Sequence, residues 1–367
     1  MEAPFSHLTK TLKGVIMYAL RMESTDPAFN LALEETLFNT LSPENPGIFL
    51  IWRNEPSVII GCHQNTAEEV NAVYCREHGI HVVRRPTGGG AVYHDLGNVN
   101  FSFLTWVEKN RISGFEEFMR PMVAALKDLG INAEYTSRND ITVDGRKVAG
   151  TAQRRAGQRM LHHGCVLVDV DTSALAGALA VDPEKFRSKG VASHKARVAN
   201  LREFLPDGLS REACMDMVIS AMTRRCAQEE RPLAPHLREK AEELAASRYR
   251  SWEWNWGQSP RFTEKRRHRF SWGRLECLLE VRNGVIASCR LFGDFFSLRD
   301  IRELEAALAG LRADAASLRQ ALSDVPVESW FSGRFDDGDC ILTVSPGQGG
   351  LEAQDWTEML YNMYSRY

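Results

Sequence analysis

The segment of this sequence best suited to chemistry is Arg84-Arg85-Pro-Thr-Gly-Gly-Gly90. Glycines allow positive φ and carry no side chain, so backbone amides there can converge on an anion. The guanidinium groups of Arg84 and Arg85 match phosphate or carboxylate oxygens in bidentate fashion. The segment is neither a P-loop, which needs Gly-Lys-Ser/Thr, nor a dinucleotide-binding fingerprint, which needs G-x-G-x-x-G. Spacing alone therefore fits an anion-binding loop and a tight turn equally well.

The residues that follow favour the anion-binding loop. Ala91-Val-Tyr-His-Asp95 adds an imidazole and a carboxylate directly after the glycines, where a bound ligand would lie. This glycine segment, Arg84–Asp95, is therefore our first candidate for a functional site.

A hairpin supplies the second candidate. Asp144-Gly145 suits a two-residue type I′ turn, which would pair Thr142 with Lys147. Side chains alternate across a strand, so Asp140 and Lys147 are expected on the same face. A lysine held beside a carboxylate on a rigid hairpin can stabilise developing negative charge. A surface ion pair is the simpler explanation of the pattern taken alone.

The histidines and cysteines do not predict a metal site or a nucleophile. His162-His163 offers fewer ligands than zinc requires, and none of the eight cysteines forms a C-x-x-C pair. Cys165 lies in an apolar stretch, which predicts a buried small residue rather than a reactive thiol. The scattered cysteines fit a reducing cytosol, and we expect a cytoplasmic protein.

Bulk properties exclude other classes of protein. The net charge is −3, which argues against a general nucleic-acid binder. No apolar run reaches the roughly 18–20 residues that span a membrane. Residues 1–13 lack the long apolar core of a signal peptide.

Alternating strands and helices predict an α/β core. Asp26-Pro27 has the residues of a helix start, and one polar helix is expected over Ala67–His78. Residues 227–250 are charged and helix-prone, which is typical of a connector. After them, strand patterns around Asn283-Gly284 and two helices over Ile301–Leu322 predict a small α+β domain.

Several blocks in order resemble one family. The glycine segment and its extension to Asn98 are similar to the signature of lipoate–protein ligase A and its relatives. The resemblance spans roughly Tyr18 to Phe331, and ordered blocks are more specific than any one motif. The supporting blocks are Gly61–Asn65, Arg138–Asp140, Gly145–Gly150, His162–Gly164 and Arg197–Leu201.

The resemblance implies a biotin/lipoate-ligase-like catalytic domain, with a central mixed sheet flanked by helices, and roles for individual residues. Lys147 would be catalytic, and Asp140 would lie near Mg²⁺ through the ATP phosphates. Contacts to ATP or the adenylate would come from Arg85, Gly90, Ala91, Val92, Tyr93, Lys147 and Asp140. Contacts to lipoate would come from Arg84, Gly88, Gly89, His94, Lys147 and His163.

The implied reaction is ATP-dependent lipoylation. Lipoate would first become lipoyl-AMP, and the lipoyl group would then pass to a lysine of lipoyl-domain acceptors such as the glycine cleavage H protein and 2-oxoacid dehydrogenase E2 subunits. A monomer is expected. Three alternatives stay open: an octanoyl- or lipoyltransferase that uses a cysteine and no ATP, a transferase that accepts only preformed lipoyl-AMP, and a non-catalytic acyl-binding protein.

The resemblance also divides the chain. It implies a catalytic domain over residues 1–245 and an accessory domain over 246–331, in which Trp252, Trp254 and Trp256 are expected to pack in an aromatic core. Residues 332–367 resemble a fragment of bacterial peptide chain release factor 2. We expect these last residues to be an appendage without a function in ligation.

Overall fold

The computed structural model describes residues 17–313 except 46, 108–113, 137–138, 180–197, 258–263, 271–272, 283, 296 and 298. The chain forms two compact units, which divide between Gln258 and Ser259. The predicted appendage at 332–367 lies outside the described residues.

Two sheets organise the first unit. Eight strands form a large mixed sheet in the order β11-β1-β2-β6-β10-β9-β8-β7, and three form a small sheet in the order β4-β3-β5. The pairs β1–β2, β1–β11 and β3–β4 are parallel, whereas the other pairs are antiparallel. The strands are β1 (Met17–Arg21), β2 (Gly47–Trp52), β3 (Ser57–Ile60), β4 (His81–Arg84), β5 (Val92–His94), β6 (Asn98–Trp106), β7 (Ala133–Thr136), β8 (Asp140–Val143), β9 (Arg146–Ala156), β10 (Arg159–Leu167) and β11 (Glu229–Glu230).

Helices cover both faces of the large sheet. They are α1 (Pro27–Thr40), α2 (Thr66–Glu69), α3 (Ala72–Glu77), α4 (Phe115–Asp128), α5 (Thr172–Ala178), α6 (Arg211–Cys226), α7 (Pro235–Leu244) and α8 (Trp252–Asn255), with a 3₁₀ turn at Leu201–Phe204 and a π turn at Ala245–Tyr249. None of the helices in the described part of the chain is long and apolar enough to cross a membrane.

Local sequence signals explain where these helices begin. The Asp26 carboxylate accepts a hydrogen bond from the Ala28 amide at 2.9 Å, and Pro27 occupies the first turn of α1, as predicted. The single helix expected over 67–78 is wrong, because the chain breaks into α2 and α3. Val70 bridges to Leu179, and the Asn71 side chain accepts from the Tyr74 amide to cap α3.

The alternation of side chains separates two cores. On one face of the large sheet, Phe101 and Phe103 of β6 pack with α4 and α6. On the other face, Leu104 and Leu161 pack with α1 and α7. The mixed α/β prediction is confirmed, and the second face is the one that carries the candidate site.

The second unit is a small α+β domain of its own. Strands β12 (Glu264–Phe270), β13 (Gly273–Arg282) and β14 (Val285–Gly293) form an antiparallel sheet, against which α9 (Ile301–Leu308) packs. The first of the two helices predicted over 301–322 is confirmed as α9, which ends at Leu308, whereas most of the second lies outside the described residues.

The segment before the boundary packs on the rest of the first unit. Asn255 Oδ1 accepts from the Arg84 amide at 2.8 Å, and Trp254 Nε1 donates to the Arg84 carbonyl at 2.8 Å. The units therefore divide after Gln258 rather than at 245. Trp252 is 66% exposed, so the predicted aromatic core is wrong for this residue.

The guanidinium of Arg84 is buried between the loop after β3 and α8. Arg84 is 1% exposed, and its donors are directed at carbonyls and a hydroxyl from three parts of the chain. They reach the carbonyls of Gly61 at 2.9 Å, Gln64 at 2.7 Å and Trp254 at 2.9 Å, and Thr66 Oγ1 at 2.6 Å. This cation joins β4, the loop after β3 and α8.

We expect Arg84→Lys to lower the free energy of unfolding by about 3–5 kcal/mol, because an ammonium cannot replace the planar guanidinium fork and would leave buried carbonyls unpaired. Urea denaturation measures the change. The exposed Arg76→Lys in α3 is the matched control and should stay within about 0.5 kcal/mol of the unsubstituted protein. Equal stability of the two variants would contradict this role of Arg84.

Candidate active site

Cross-strand partners on one face of the large sheet form the floor of the site. In an antiparallel sheet, directly opposite residues share a face. Each residue of this cross-strand row pairs with the next on the neighbouring strand, from β2 through β6, β10 and β9 to β8. The row consists of Trp52, Asn100, Cys165, Gly150 and Asp140.

The predicted hairpin is confirmed in its turn and in the pairs next to the turn. Asp144 and Gly145 have φ of 49° and 73°, as a type I′ turn requires, and Thr142 pairs with Lys147. A register shift between Ile141 and Thr142, absent from the prediction, marks a bulge in the ladder. Bulges re-aim side chains next to active sites.

The bulge brings Lys147 over Gly150. The Lys147 ammonium lies 2.7 Å from Asp140 Oδ1, and a Cβ at Gly150 would stand 2.7 Å from Lys147 Nζ. Any larger residue at position 150 would therefore displace the lysine. The Lys147 and Asp140 side chains are 39% and 33% exposed, so the pair is open to solvent and to an incoming anion.

Arg85 fixes the shape of the glycine segment from below. Its guanidinium donates to the carbonyls of Ile59 at 3.0 Å, Gly88 at 2.7 Å and Gly90 at 2.9 Å, and to Thr87 Oγ1 at 3.0 Å. Burial lowers the pKa of Arg85 to about 10, which still leaves it positively charged near neutral pH. A fixed charge thus lies under the loop.

The glycines differ in their exposure. Gly89 has φ of 91°, and its carbonyl lies 2.0 Å from where a Cβ at Gly61 would stand, so both positions need glycine. Gly88 and Gly89 are buried, whereas Gly90 is exposed and Ala91 is half-buried. The segment is therefore accessible at Gly90 and partly accessible at Ala91 and Val92.

His163 connects the glycine segment to helix α1. Its Nε2 lies 2.8 Å from Thr87 Oγ1 and its Nδ1 lies 2.8 Å from Glu34 Oε1. Thr87 Oγ1 accepts from Arg85 Nε, which leaves the hydroxyl proton to donate to His163 Nε2. We therefore assign the Nδ1–H tautomer, in which His163 donates to Glu34. Glu34 is 0% exposed and also accepts from Ser102 Oγ.

Sequence reasoning missed Glu34 and Asn100 as members of this site, and it gave Thr87 no role of its own within the glycine segment. The available signal was Glu34 itself, a carboxylate beside the apolar stripe of a helix, since a charge buried there needs a partner. No comparable signal marked Asn100, which lies in a strand where polar and apolar residues alternate in the usual way.

His94 is a neutral, buried acceptor. Asn54 Nδ2 donates to His94 Nδ1 at 3.2 Å, an assignment that agrees with Asn54 Oδ1 accepting from Asn30. Burial lowers the pKa of His94 to about 3, and the charge of Arg85 adds to the effect. The imidazole presents no positive charge to a ligand near neutral pH.

The two cysteines of the site hold neutral thiols. Burial raises the pKa of Cys165 against the opposing effects of Lys147 and Arg85, and burial raises the pKa of Cys62 to about 11. A thiolate is the reactive form of cysteine, so the site does not activate either residue as a nucleophile.

The structure brings several of the predicted site residues to the same face of the large sheet, but it does not bring the Arg84 guanidinium there. Lys147 and Asp140 lie at the exposed end of the row, while His163 binds the glycine segment through Thr87. Arg84 was predicted to contact lipoate, but its guanidinium is buried among backbone carbonyls. Its structural hydrogen bonds replace the predicted ligand contact.

We expect stability to fall as the pH drops from about 6.5 towards 3. The unfolded His94 imidazole takes up a proton below its ordinary pKa of 6.5, whereas the folded imidazole resists protonation down to about 3, so acid favours unfolding. Burial lowers the pKa of His162 in the same direction. In urea titrations at pH 7 and pH 5, His94→Gln should reduce the average slope of stability against pH by about 1 kcal/mol per unit. An unchanged slope would contradict a neutral, buried His94.

Comparisons with protein families agree with this architecture. Residues 26–223 match the lipoyl protein ligase A/B catalytic domain, and residues 259–340 match the bacterial lipoate protein ligase C-terminus. The second match begins where the second unit begins and extends beyond the predicted boundary at 331. The resemblance of the last residues to release factor 2 stays a prediction.

Individual relatives cover most of the chain. Lipoate–protein ligase 1 of Staphylococcus aureus is 40% identical over 321 residues, which are 88% of this chain and 97% of the relative. The structure of P. falciparum LipL1 in complex with lipoate superposes with a TM-score of 0.70 at 27% identity, covering 84% of this chain and 94% of that one. A structure of lipoate–protein ligase A bound with ATP gives 0.55 at 28% identity, covering 66% and 98%.

These matches extend over both units and include the strands that carry Lys147, Asp140 and the glycine segment. The chain therefore belongs to the lipoate–protein ligase family.

Proposed function

We propose that this chain activates lipoate with ATP and transfers the lipoyl group to a lysine of an acceptor protein. The observation that carries the proposal is the exposed Lys147–Asp140 pair above Gly150, in a family whose relatives are named for this reaction. The carboxylate of the acid and the phosphate of ATP are both anions, so a positive charge between them reduces their repulsion.

The nucleotide would bind at the accessible end of the glycine segment. The backbone of Gly90, Ala91, Val92 and Tyr93 leads into β5, an edge strand of the small sheet, whose outward backbone groups are not used by β3. Arg85 places its positive charge beneath these residues. Such fixed donors can bind an anion without reorganisation.

Activation joins two anions. A lipoate carboxylate oxygen attacks the α-phosphorus of ATP, the bond to the β-phosphate breaks, and pyrophosphate leaves as lipoyl-AMP forms. Lys147 would contact both the carboxylate and the α-phosphate and offset their repulsion. Gly88, Gly89, His94 and His163 would lie along the acyl group.

Magnesium would be held mainly by the nucleotide. In the described residues, no group of three or more His, Cys, Asp or Glu side chains could hold a metal ion. Mg²⁺ commonly uses one or two carboxylates together with substrate phosphates, a pattern that Asp140 could complete. The ion would neutralise phosphate charge there.

Transfer completes the reaction. The amine of the acceptor lysine attacks the acyl carbonyl of lipoyl-AMP, an amide forms, a proton is released and AMP leaves. Lipoyl domains of E2 subunits and the H protein are the proposed acceptors.

We assign catalysis to the first unit and an accessory role to the second. The proposed enzyme is a cytoplasmic monomer, and its residues beyond 331 take no part in the chemistry.

A direct test combines ATP, Mg²⁺, lipoate, the enzyme and a lipoyl-domain acceptor, and follows the acceptor by mass spectrometry. We expect Lys147→Ala to lower pyrophosphate release by at least about 100-fold, because the charge that stabilises the transition state is lost. Arg146→Ala on the same hairpin removes the ion pair with Glu203 and the contact with the Phe204 ring, both away from Asp140, and is the matched control.

Near-normal pyrophosphate release by a folded Lys147→Ala protein would contradict the proposed role. Acceptor modification by the unsubstituted enzyme with preformed lipoyl-AMP, but without any ATP-dependent pyrophosphate release, would instead identify a transferase.

We expect Cys165→Ala to keep most of the ligation activity, because Cys165 is half-buried and its raised pKa keeps the thiol neutral, so it does not serve as the nucleophile. The measurement is the rate of acceptor lipoylation, together with intact-mass analysis of the enzyme after incubation with lipoyl-AMP. Loss of activity, accompanied by a thioester on the unsubstituted enzyme, would favour the cysteine-dependent alternative.

A further inference from the structure

Asn100 carries a buried carboxamide that the protein leaves unpaired. The residue is 0% exposed, and neither its Nδ2 nor its Oδ1 has a hydrogen-bond partner among the residues that the structure describes. A buried polar group without a partner is costly, and native proteins keep few of them. An amide with an unused donor and acceptor at a site therefore points to a ligand.

The position of Asn100 in the cross-strand row defines what that ligand must reach. Asn100 pairs with Trp52 on one side and with Cys165 on the other. Trp52 is 3% exposed, whereas the Lys147 side chain above Gly150 is 39% exposed. The row thus runs from a closed end at Trp52 to an open end at Lys147.

The distance along the row fits the length of an acyl substrate. Gly150 and Asn100 are separated by two strand spacings, or about 10 Å. This span is comparable to the distance from the carboxylate of lipoate to its dithiolane ring. The carboxylate must meet ATP and the acceptor at the open end, so the ring would lie at the closed end, beside Asn100.

We propose that Asn100 is a specificity-determining residue that selects an acyl chain ending in a dithiolane over a plain alkyl chain. This inference rests on the proposed function. The Nδ2–H group donates to a ring sulfur, which is a weak acceptor. The terminal methylenes of octanoate offer no acceptor and leave the amide buried and unpaired. A site built for a hydrogen bond rejects the analogue that lacks it.

The test compares lipoate with octanoate in pyrophosphate release, measured as kcat/KM for each acid. In Asn100→Leu, the preference for lipoate should fall by about tenfold, equivalent to about 1.4 kcal/mol, with the rate on octanoate kept or raised. The ligand-free variant should also have a higher Tm, because a buried unpaired amide has been removed. Asn100→Val repeats the test with a side chain that favours strands.

Thr105→Val is the matched control. It removes a hydroxyl that is 3% exposed from the same strand, on the opposite face, where Thr105 pairs with Met160. The ratio of the two acids should be unchanged in this variant.

An unchanged ratio in the folded Asn100 variants, or an equal loss with both acids, would overturn the inference. Failure of both variants to fold would also count against it, since an unpaired amide should not be needed for folding. If the unsubstituted protein releases no pyrophosphate with either acid, the proposed function fails instead.

Discussion

Two buried guanidinium groups hold the site in place by binding backbone carbonyls. Arg84 and Arg85 are adjacent, and nearly all of their donors are directed at main-chain oxygens or threonine hydroxyls. A loop of three glycines has a high conformational entropy when free. The Arg85 guanidinium offsets this entropy by giving the carbonyls of Gly88 and Gly90 fixed partners, while Arg84 fixes the neighbouring loop after β3. The glycine segment thereby becomes rigid.

The fixed position of the glycine segment determines which side chains on the sheet can bind it. Once Thr87 is held by Arg85, its hydroxyl reaches His163, and His163 in turn reaches the buried carboxylate of Glu34. These hydrogen bonds connect the glycine segment to β10, and β10 to α1. They bury polar groups that are each satisfied by the next, in contrast to Asn100 in the adjacent row of the same face. Satisfied groups specify structure. The unpaired Asn100 amide is the group that we propose for a ligand.

The site combines an open and a closed end. Lys147 and Asp140 are partly exposed where two charged substrates and a protein acceptor must enter, and the screened ion pair can exchange partners there. Trp52 and Asn100 are buried where an apolar acyl group would lie. The same sheet face thus provides charge stabilisation at one end and exclusion of water at the other, as an acyl-adenylate requires.

The sequence by itself determined what depends on near neighbours in the chain. Asp144-Gly145 dictated the turn, and the turn placed Thr142 opposite Lys147, because backbone conformation in a two-residue loop is a local property. Only the tertiary structure decided the pairings between distant residues. His163 and Glu34 are 129 positions apart, and Arg84 and Asn255 are 171 apart. Residue type alone gives no means of choosing such partners. Arg84 was therefore predicted to bind a ligand, whereas its guanidinium binds the protein. Asn100 was overlooked because its lack of hydrogen-bond partners is visible only in the folded structure.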